Sequence, residues 1–595
     1  MKTAIASIPQ RNIALACLAV TFALGGPPAS AGIISVGDVQ LAIFPPDALL
    51  VSAFAPGSVS VTAGSVLDHD PGGVGAPFAQ MQIGAGTFGD GIVTVDGAGS
   101  KVIASGPNGL TVGGLGKGVL ELTNGGAAIV GRFASSQSAT ATSSVKVDGA
   151  GSSITSASVF IIGVSGAGQA VPSATADITN GGVVNAQQST VGSLAGSNAK
   201  LTVNGTGSAL NLVTSGANRA FLTIGREQAG EVDVLAGAKV TIDAALVGPN
   251  SVGVTLGGGA GAILDGGSFA NGNGVLNIDG AGSELRIKQA SPFVGVGLQG
   301  TGLLNITDGG KLIVEEAGTG AMFVGRNIGG SGTVNVTGAG SELQAGRRLF
   351  IGTDATAIAL IPGGTGAVNV GSGATITATR VNVGALGTLT GGGGTIVGEL
   401  INHGTVAPGN NSPGIMNVLG NVTLDFDGKV VLELGGNSVS LYDQLNARDD
   451  PATGPIEGNL RLNGLVNVTL YGGFNPFGGS FFDVFTALDI TELTPTYVLP
   501  TLSAGLHWEH AIVSLASGGE ALRLSVEGAV VPEPGSLALL AIGLVGLFAA
   551  SRRRELLGAR RLVDHTALLW WLATRSNDPV PDDQISWRAF SSSLR

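Results

Sequence analysis

The chain has 595 residues, of which 101 are glycine, 12% are charged and 5% are aromatic. One glycine in about six residues is half of what a collagen triple helix requires, and a 44% apolar content is too high for a disordered chain. Because charged residues are scarce, helices with charged outer faces cannot make up most of the fold. The composition therefore favours an all-β architecture of small and β-branched residues.

The formal net charge is −12, so acidic residues outnumber basic ones. Phosphate binding needs clustered lysine and arginine, and nucleic acid is therefore not an expected partner. The single cysteine, Cys17, lies in an apolar N-terminal stretch. The sequence thus predicts neither a disulfide framework nor a cysteine-based zinc site. Acylation of Cys17 in a lipoprotein signal remains an alternative, although the three residues before it, Ala14-Leu15-Ala16, are a poor lead-in.

The N-terminus has the three parts of a secretory signal peptide. Lys2 and Arg11 precede a twelve-residue apolar run that is too short to span a bilayer. The small residues Ala29 and Ala31 then form the signal peptidase site. We predict a signal helix within residues 1–31, export through the Sec translocon, and cleavage after Ala31.

Two short phrases recur through residues 86–390. The first ends in Gly-x-Gly-Ser and begins at Val95, Val147, Val203, Ile278 and Val336. The second is of the type Thr-Asn-Gly-Gly and begins at Leu122, Ile178, Val234, Ile306 and Val370. Self-similarity of this kind indicates stacked units, none of which can bury its apolar face alone.

Within each repeat, β-branched residues alternate with polar ones before a glycine turn, as in residues 275–280. About 25 residues with two or three short strands and glycine corners form one coil of a parallel, right-handed β-helix. We therefore predict some twenty coils between residues 33 and 530, which would give a rod roughly 90 to 100 Å long. Residues 32–85 are expected to form an N-terminal β cap, and residues 86–390 the repeat solenoid.

The sequence motifs change after residue 390. The run 404–414, Gly-Thr-Val-Ala-Pro-Gly-Asn-Asn-Ser-Pro-Gly, is followed by apolar segments at 430–434 and 478–485. These residues resemble the distal β-helix of autotransporter passenger domains, and the upstream repeats resemble those shared by autotransporters and PEP-CTERM proteins. The resemblance implies a β-helix and an export route, and it gives no indication of chemistry. Residues 391–530 are accordingly expected to form a distal, autotransporter-like β region.

Residues 531–554 form a tripartite segment. The motif Pro532-Glu533-Pro534 is followed by the apolar stretch 537–550 and by Arg552, Arg553 and Arg554. Fourteen apolar residues span about 21 Å as a helix, less than a typical hydrocarbon core, and the arginines should stay cytoplasmic. We predict a short hydrophobic helix that anchors the chain transiently in the inner membrane, with the arginine cluster as the stop. An ordinary single-pass tail anchor is the alternative.

This arrangement resembles the PEP-CTERM sorting signal of Gram-negative exported proteins. The resemblance implies that an exosortase cleaves near residues 532–534 and that the protein then reaches the cell surface or an exopolysaccharide-rich matrix. PEP-CTERM tails normally stop within a few residues of the arginines, whereas this chain continues through residues 555–595. The extension is either a cytoplasmic appendage with an amphipathic helix near 568–572 or a readthrough product, which is the interpretation we favour.

The first phrase aligns Asp96, Asp148 and Asp279 in a ladder of carboxylates. A polysaccharide lyase or glycosidase needs carboxylates on one face of neighbouring coils. The same position holds Asn204 and Thr337, so the common feature is a short polar side chain that caps the following turn. We expect turn formers there and no catalytic residue.

Three further polar clusters do not match a metal or cofactor motif. The first precedes a Pro-Gly-Gly turn, the second places two histidines on opposite sides of a β segment, and the third departs from the calcium nonapeptide. No metal or cofactor is predicted, and calcium is left open without support. The clusters are Asp68-His69-Asp70, His507-Trp508-Glu509-His510, and Asn273 with Asn277 and Asp279.

The sequence as a whole predicts an exported structural or adhesive protein rather than an enzyme. A stack of similar coils presents repeated hydroxyl and amide groups, which suit many weak contacts with an extracellular polysaccharide or a cell surface. The other expected partners are the Sec translocon and an exosortase. The alternative is a β-helix polysaccharide lyase or glycoside hydrolase. Its pocket would interrupt the repeat, and the longest gap, residues 243–271, is a glycine-rich loop without an obvious site.

Overall fold

In the computed structural model 59% of the residues lie in β-strands and 4% in helix, so the regular structure is nearly all β, as predicted. The chain divides into two units, residues 1–502 with 507–527, and residues 503–506 with 528–595. The described residues are 32–42, 48–69, 80–138, 140–164, 173–193, 198–214, 219–244, 252–258, 272–289, 292–316, 320–355, 360–409, 411–451, 458–528 and 539–552.

The first unit is built from coils, each of which contributes one strand to each of three rows. The first row is a seventeen-stranded sheet. Its first two strands are antiparallel, and the register of every later described pair is parallel. The strands of this row are Gly32–Gly37, Gly57–Thr62, Asp90–Asp96, Lys117–Thr123, Thr142–Asp148, Ser173–Thr179, Asn198–Asn204, Ala229–Leu235, Asn273–Asp279, Thr301–Thr307, Ser331–Thr337, Thr365–Val370, Gly387–Thr390, Thr405–Ala407, Lys429–Leu434, Leu465–Leu470 and Thr496–Val498.

The second row follows the first around the coil. Its last pair, Phe481–Ala487 with Glu520–Gly528, is antiparallel and the others are parallel. Its strands are Val66–Asp68, Lys101–Ala104, Ala127–Val130, Ser153–Ser156, Val183–Ala186, Ala209–Thr214, Lys239–Ala244, Glu284–Gln289, Lys311–Glu316, Glu342–Gln344, Thr375–Val383, Thr395–Asn402, Ile415–Leu419, Gln444–Arg448, Phe481–Ala487 and Glu520–Gly528.

The third row completes each coil. It joins the second row in one thirty-two-stranded sheet, because Thr375–Val383 and Thr395–Asn402 run through the corner between the two rows. Its remaining strands are Val39–Ala42, Ala48–Val51, Gln80–Ile83, Gly109–Val112, Phe133–Ser135, Val159–Ile162, Gln188–Val191, Ala220–Ile224, Val252–Leu256, Phe293–Val296, Ala321–Val324, Arg348–Ile351, Val422–Leu424, Leu460–Leu462 and Ile490–Glu492.

Leu506–Ser514 is the thirty-second strand of that sheet, and three short elements complete the regular structure of the first unit. A two-stranded antiparallel ribbon interrupts one corner, and a 3-10 turn interrupts another. These short elements are Thr353–Ala355, Leu360–Pro362 and Val439–Leu441.

The core runs along the inside of the coils. In Asp90–Asp96, Val93 and Val95 are buried, whereas Thr94 and Asp96 lie on the outer face. Parallel pairing places Val93 beside Leu120 and Leu120 beside Val145, so aliphatic side chains form continuous columns. One apolar cluster extends from Val51 to Leu524. Each fully buried aliphatic side chain contributes about 1.5 to 3 kcal/mol of transfer free energy, which accounts for the stability of a stack of short strands.

The stack has sixteen coils, counted by the first-row strands. The sheet has seventeen strands, and the first of them, Gly32–Gly37, is antiparallel and is not counted as a coil. At about 4.8 Å per coil this stack is about 70 Å long. The prediction of twenty coils was too high. A coil averages about 29 residues between the strands that begin at Gly57 and Thr496, since several corners carry loops that the repeat period does not show.

Glycines permit the corner between the first and second rows. In the first phrase, Gly97 and Gly99 have φ values of 93° and 86°, in a region that side chains disfavour. In the second phrase the left-handed position is held by Asn124, with φ of 53°. A Cβ on Gly126 would lie 2.1 Å from the carbonyl oxygen of Val95 in the preceding coil. The phrases thus encode a sharp turn and close contact between successive corners.

Both ends of the stack carry antiparallel strands. At the N-terminal end, Gly32–Gly37 pairs with Gly57–Thr62. At the C-terminal end, Glu520–Gly528 lies along Phe481–Ala487, where Arg523 binds Asp483 through two hydrogen bonds of 2.7 and 3.0 Å. The antiparallel strands interrupt the parallel stacking at each end.

A smaller apolar cluster lies outside the main core, on the outer side of the third row. The rings of Phe293, Phe323 and Phe350 follow one another at centroid distances of 5.6 and 5.1 Å. Leu298 packs in the same cluster, and the Arg326 guanidinium lies 4.5 Å from the Phe323 centroid. These contacts join successive third-row strands on their outer side.

The second unit contains the helix 539–552, where the sequence predicts a short hydrophobic helix. Among the residues that the structure describes, none of the helices combines the length and hydropathy needed to cross a bilayer. The predicted signal helix in residues 1–31 and the extension 555–595 lie outside the described residues.

Candidate functional site

The helix of the sorting segment is apolar and exposed. Leu540, Ile542 and Phe548 each expose about two thirds or more of their surface, and they lie on different sides of the helix. Ser551 donates a hydrogen bond to the Phe548 carbonyl at 2.9 Å near its end. Apolar side chains on all sides are typical of a helix that is surrounded by lipid or protein in its working state.

The structure covers only part of the predicted sorting and cleavage sites. Arg552 lies in the last turn of the helix and is exposed. The other members lie outside the described residues. They are Pro532, Glu533, Pro534, Arg553, Arg554, Ala29 and Ala31.

The last serine of the first phrase connects each coil to the one before it. The Ser152 hydroxyl donates to the Asp148 carbonyl at 2.7 Å and accepts from the Gly125 amide of the preceding coil at 3.0 Å. The same two bonds recur, within 0.1 Å, in all five copies of the phrase. These serines are completely buried or nearly so: Ser100, Ser152, Ser208, Ser283 and Ser341. We call these five residues the corner serines.

The aspartate of the same phrase connects its coil to the one that follows. Asp148 Oδ1 accepts from the Thr179 hydroxyl and the Asn180 amide, both at 2.6 Å. Asp96 makes the equivalent bonds, and hydrogen bonding to the Thr and Asn side chains lowers the pKa of both carboxyls below the ordinary value. The carboxylates therefore stay ionised and act as acceptors for side chains of the following coil, not for the turn that follows them in the chain.

These contacts explain why the two phrases alternate. Parallel register places Thr123 between Asp96 and Asp148, so the aspartates lie two coils apart, at about 10 Å. The coil of Asp148 and Ser152 binds backward through its serine and forward through its aspartate, and both partners belong to coils of the second phrase. The structural repeat is thus a pair of coils. The serines were not predicted as contact residues from the sequence, although their presence in every copy of the phrase was a usable signal.

The outer face of the first row carries a second polar ladder. Asn277 donates to Asp233 at 2.7 Å, Asn305 to Asn277 at 2.8 Å, and Asn335 to Asn305 at 2.9 Å. Lys200 closes its N-terminal end with an ion pair of 2.7 Å to Asp233. Each carboxamide has two N–H donors, of which this ladder uses one. Half-buried amides therefore repeat at the spacing of the coils along one face.

The outer face of the second row carries alternating charges instead. Lys239 pairs with Glu284 at 3.2 Å, and Lys311 pairs with Glu342 at 2.7 Å. Parallel register aligns all four side chains in one column. Exposed ion pairs contribute little to stability, so the principal effect of this column is to favour the correct register between coils.

A carboxylate replaces the corner serine in one distal coil. Asp443 immediately precedes the second-row strand Gln444–Arg448, as Ser152 precedes Ser153–Ser156. Its Oδ1 accepts from the Gly414 amide of the preceding coil at 2.6 Å, and its Oδ2 accepts from the Glu433 amide at 2.9 Å. Asp443 is 1% exposed, and burial raises its pKa to about 7 against the lowering effect of the backbone amides.

The remaining predicted clusters show no metal-binding arrangement. His507 Nε2 lies 3.5 Å from Glu509, whereas His510 stacks on Tyr497 at 4.4 Å, in agreement with histidines on opposite sides of the strand. His69 is buried, and Asp70 lies outside the described residues. Asn277 and Asp279 take part in the ladders described above. No group of three potential metal ligands occurs among the described residues.

Comparison with known proteins identifies the tail. A family model for the PEP-CTERM protein-sorting motif matches residues 530–554. No curated protein matches the chain. The motif confirms the predicted sorting signal and marks the chain as an exported, cell-surface protein that an exosortase processes. The parallel stack supports the predicted likeness of the middle region to β-helix repeats.

Proposed function

We propose that the β-helix is a structural or adhesive component of the cell surface that binds extracellular polysaccharide along the outer face of its first row. The observation that carries this proposal is the amide ladder of Asn277, Asn305 and Asn335, which presents the same group on successive coils. A polymer that lies along the stack meets a repeated donor and acceptor pattern. Many weak hydrogen bonds then add up to useful avidity.

The charge of the protein narrows the class of polymer. Between residues 32 and 551 there are 36 acidic and 19 basic residues. This excess repels acidic polysaccharides at low ionic strength, and the repulsion weakens as salt screens it. We therefore propose a neutral polysaccharide as the preferred partner.

A polysaccharide lyase or glycoside hydrolase remains the second candidate. The pairing of coils places Asp96 and Asp148 about 10 Å apart on one edge, close to the separation used by inverting glycosidases. Such an enzyme needs one carboxyl group with a raised pKa, whereas hydrogen bonds lower the pKa of both. The lowered pKa values of the two carboxyl groups therefore favour binding over hydrolysis.

The test compares two sets of substitutions in the exported protein. The first replaces Asn277, Asn305 and Asn335 by serine, and the control replaces Asn185 and Asn211, which form a similar pair on the second row at 3.0 Å. Binding to neutral and acidic polysaccharides is measured by co-sedimentation. We expect at least a tenfold loss of neutral-polymer binding in the first set and no loss in the control.

Two results would contradict the proposal. Equal binding by both sets would remove the amide ladder as the binding surface. Release of reducing ends or unsaturated sugars from the polymer, abolished by Asp148→Asn, would establish the enzymatic candidate in its place.

A further inference from the structure

The first strand of the β-helix has an open edge. Gly32–Gly37 pairs on one side with Gly57–Thr62, and in the described part of the chain no strand pairs with its other side. Ile33, Ile34 and Val36 expose between 45% and 60% of their surfaces. A strand with exposed apolar side chains and unpaired backbone groups is a template for another strand.

Features that normally block such an edge are missing from this strand. It contains neither a charged residue nor proline. The next residue, Asp38, turns away to accept hydrogen bonds from the amides of Phe54 and Ala55 in its own coil. By contrast, the capping strand at the other end, Glu520–Gly528, carries three charged residues. The N-terminal edge is therefore the one suited to pairing.

The strand is complementary to a second copy of itself. Register with Gly57–Thr62 places Ile33 and Ser35 on the core side, and Ile34 and Val36 on the outer side. Residues opposite each other in an antiparallel pair point to the same side of the sheet. Pairing centred on Ile34 satisfies this rule, because it places Ile34 beside Ile34, and Ile33 beside Ser35, of the two copies. Both the core and the outer face then continue across the junction.

We propose that two copies of the exported chain dock head to head through antiparallel pairing of their Gly32–Gly37 strands. Cleavage after Ala31, as the signal peptide pattern predicts, makes Gly32 the first residue of this strand. Before cleavage a further 31 residues precede it, so docking follows export. The resulting two-fold dimer doubles the surfaces that face a partner. The docking proposal does not depend on whether those surfaces bind polysaccharide.

Cysteine cross-linking tests the register directly. The native Cys17 precedes the predicted cleavage site, so an engineered cysteine is the only thiol of the processed chain. Pairing centred on Ile34 brings two copies of Ile34→Cys within disulfide range, whereas two copies of Val36→Cys lie about 14 Å apart. We expect a reduction-sensitive dimer of processed protein from the first variant and at most a trace from the second. Equal cross-linking of both variants would overturn the proposal.

Sedimentation velocity tests the association itself, on the chain that has lost residues 1–31 and keeps its C-terminal helix. Ile34→Lys places two like charges opposite each other and should weaken dimerisation about 100-fold. Thr94→Lys is the matched control, since Thr94 lies on the same outer face beside Ser60, one strand further into the stack. A wild-type chain that stays monomeric up to about 1 mM would refute head-to-head docking. A dimer that survives Ile34→Lys because it forms through the C-terminal helix would also refute it. Circular dichroism checks that each variant is folded.

Discussion

Replacing the buried Asp443 should change how the stability of the distal coils depends on pH. Its carboxyl has a pKa near 7 in the folded chain, against an ordinary value of 3.8. Between these two values the folded state holds a proton that the unfolded state has released. The free energy of unfolding therefore falls as pH rises from about 4 to 7, and the effect levels off above pH 7.

The size of this effect follows from the pKa difference. About three units correspond to about 4 kcal/mol, at about 1.36 kcal/mol per unit. Asp443→Asn keeps the size of the side chain and one of its two acceptor atoms and removes the titration, so its distal coils should lose this pH dependence. Asp443→Ser restores the side chain that occupies the five other corners, and it should behave in the same way.

Hydrogen exchange provides a local measurement of this loss. The amides of Gly414 and Glu433 donate directly to Asp443, so their protection reports the opening of this corner. After correction for intrinsic exchange rates, wild-type protection should fall between pH 5 and pH 8, while Asp443→Asn should fall much less, by the share that Glu433 contributes. Burial also raises the pKa of the neighbouring Glu433, and Glu433→Gln measures its share of the slope. A wild-type chain that gains protection as pH rises, or that matches Asp443→Asn, would refute the reasoning.

Three further predictions follow from the corners and the tail. Ser208→Ala removes a buried hydroxyl and leaves the Gly181 amide without its acceptor, so it should cost about 1 to 3 kcal/mol in chemical denaturation, whereas Ser144→Ala on the outer face should cost under about 0.5 kcal/mol; equal losses would contradict this. Ala236 has φ of 51° where two other second-phrase corners hold Asn124 and Asn180, so Ala236→Asn should stabilise the chain by about 1 kcal/mol, and a lower melting temperature would count against it. Glu533→Ala should leave the chain unprocessed in the membrane fraction, as blotting and intact mass would reveal, and normal release would exclude this residue from recognition.

The sorting signal and the local strands could be predicted from the sequence because both depend on contiguous residues. Alternation of apolar and polar side chains defines a strand wherever it occurs, and 275–280 shows it without reference to the rest of the chain. Glycine in the phrases likewise fixes a turn through its own φ. The tripartite order of 531–554 is readable in the same way.

Only the tertiary structure decided which residues meet between coils. That register depends on the lengths of the intervening loops, and these lengths do not follow from local pattern. It joins Asp148 to the following coil and Ser152 to the preceding one, so the two phrases form a single unit. It also brings Asp443 to a corner serine's position, because residues 435–441 leave the coil and return through the antiparallel bridge between Leu434 and Tyr442. Contacts across the stack are therefore a property of the folded chain, while its strands and turns are a property of each short segment.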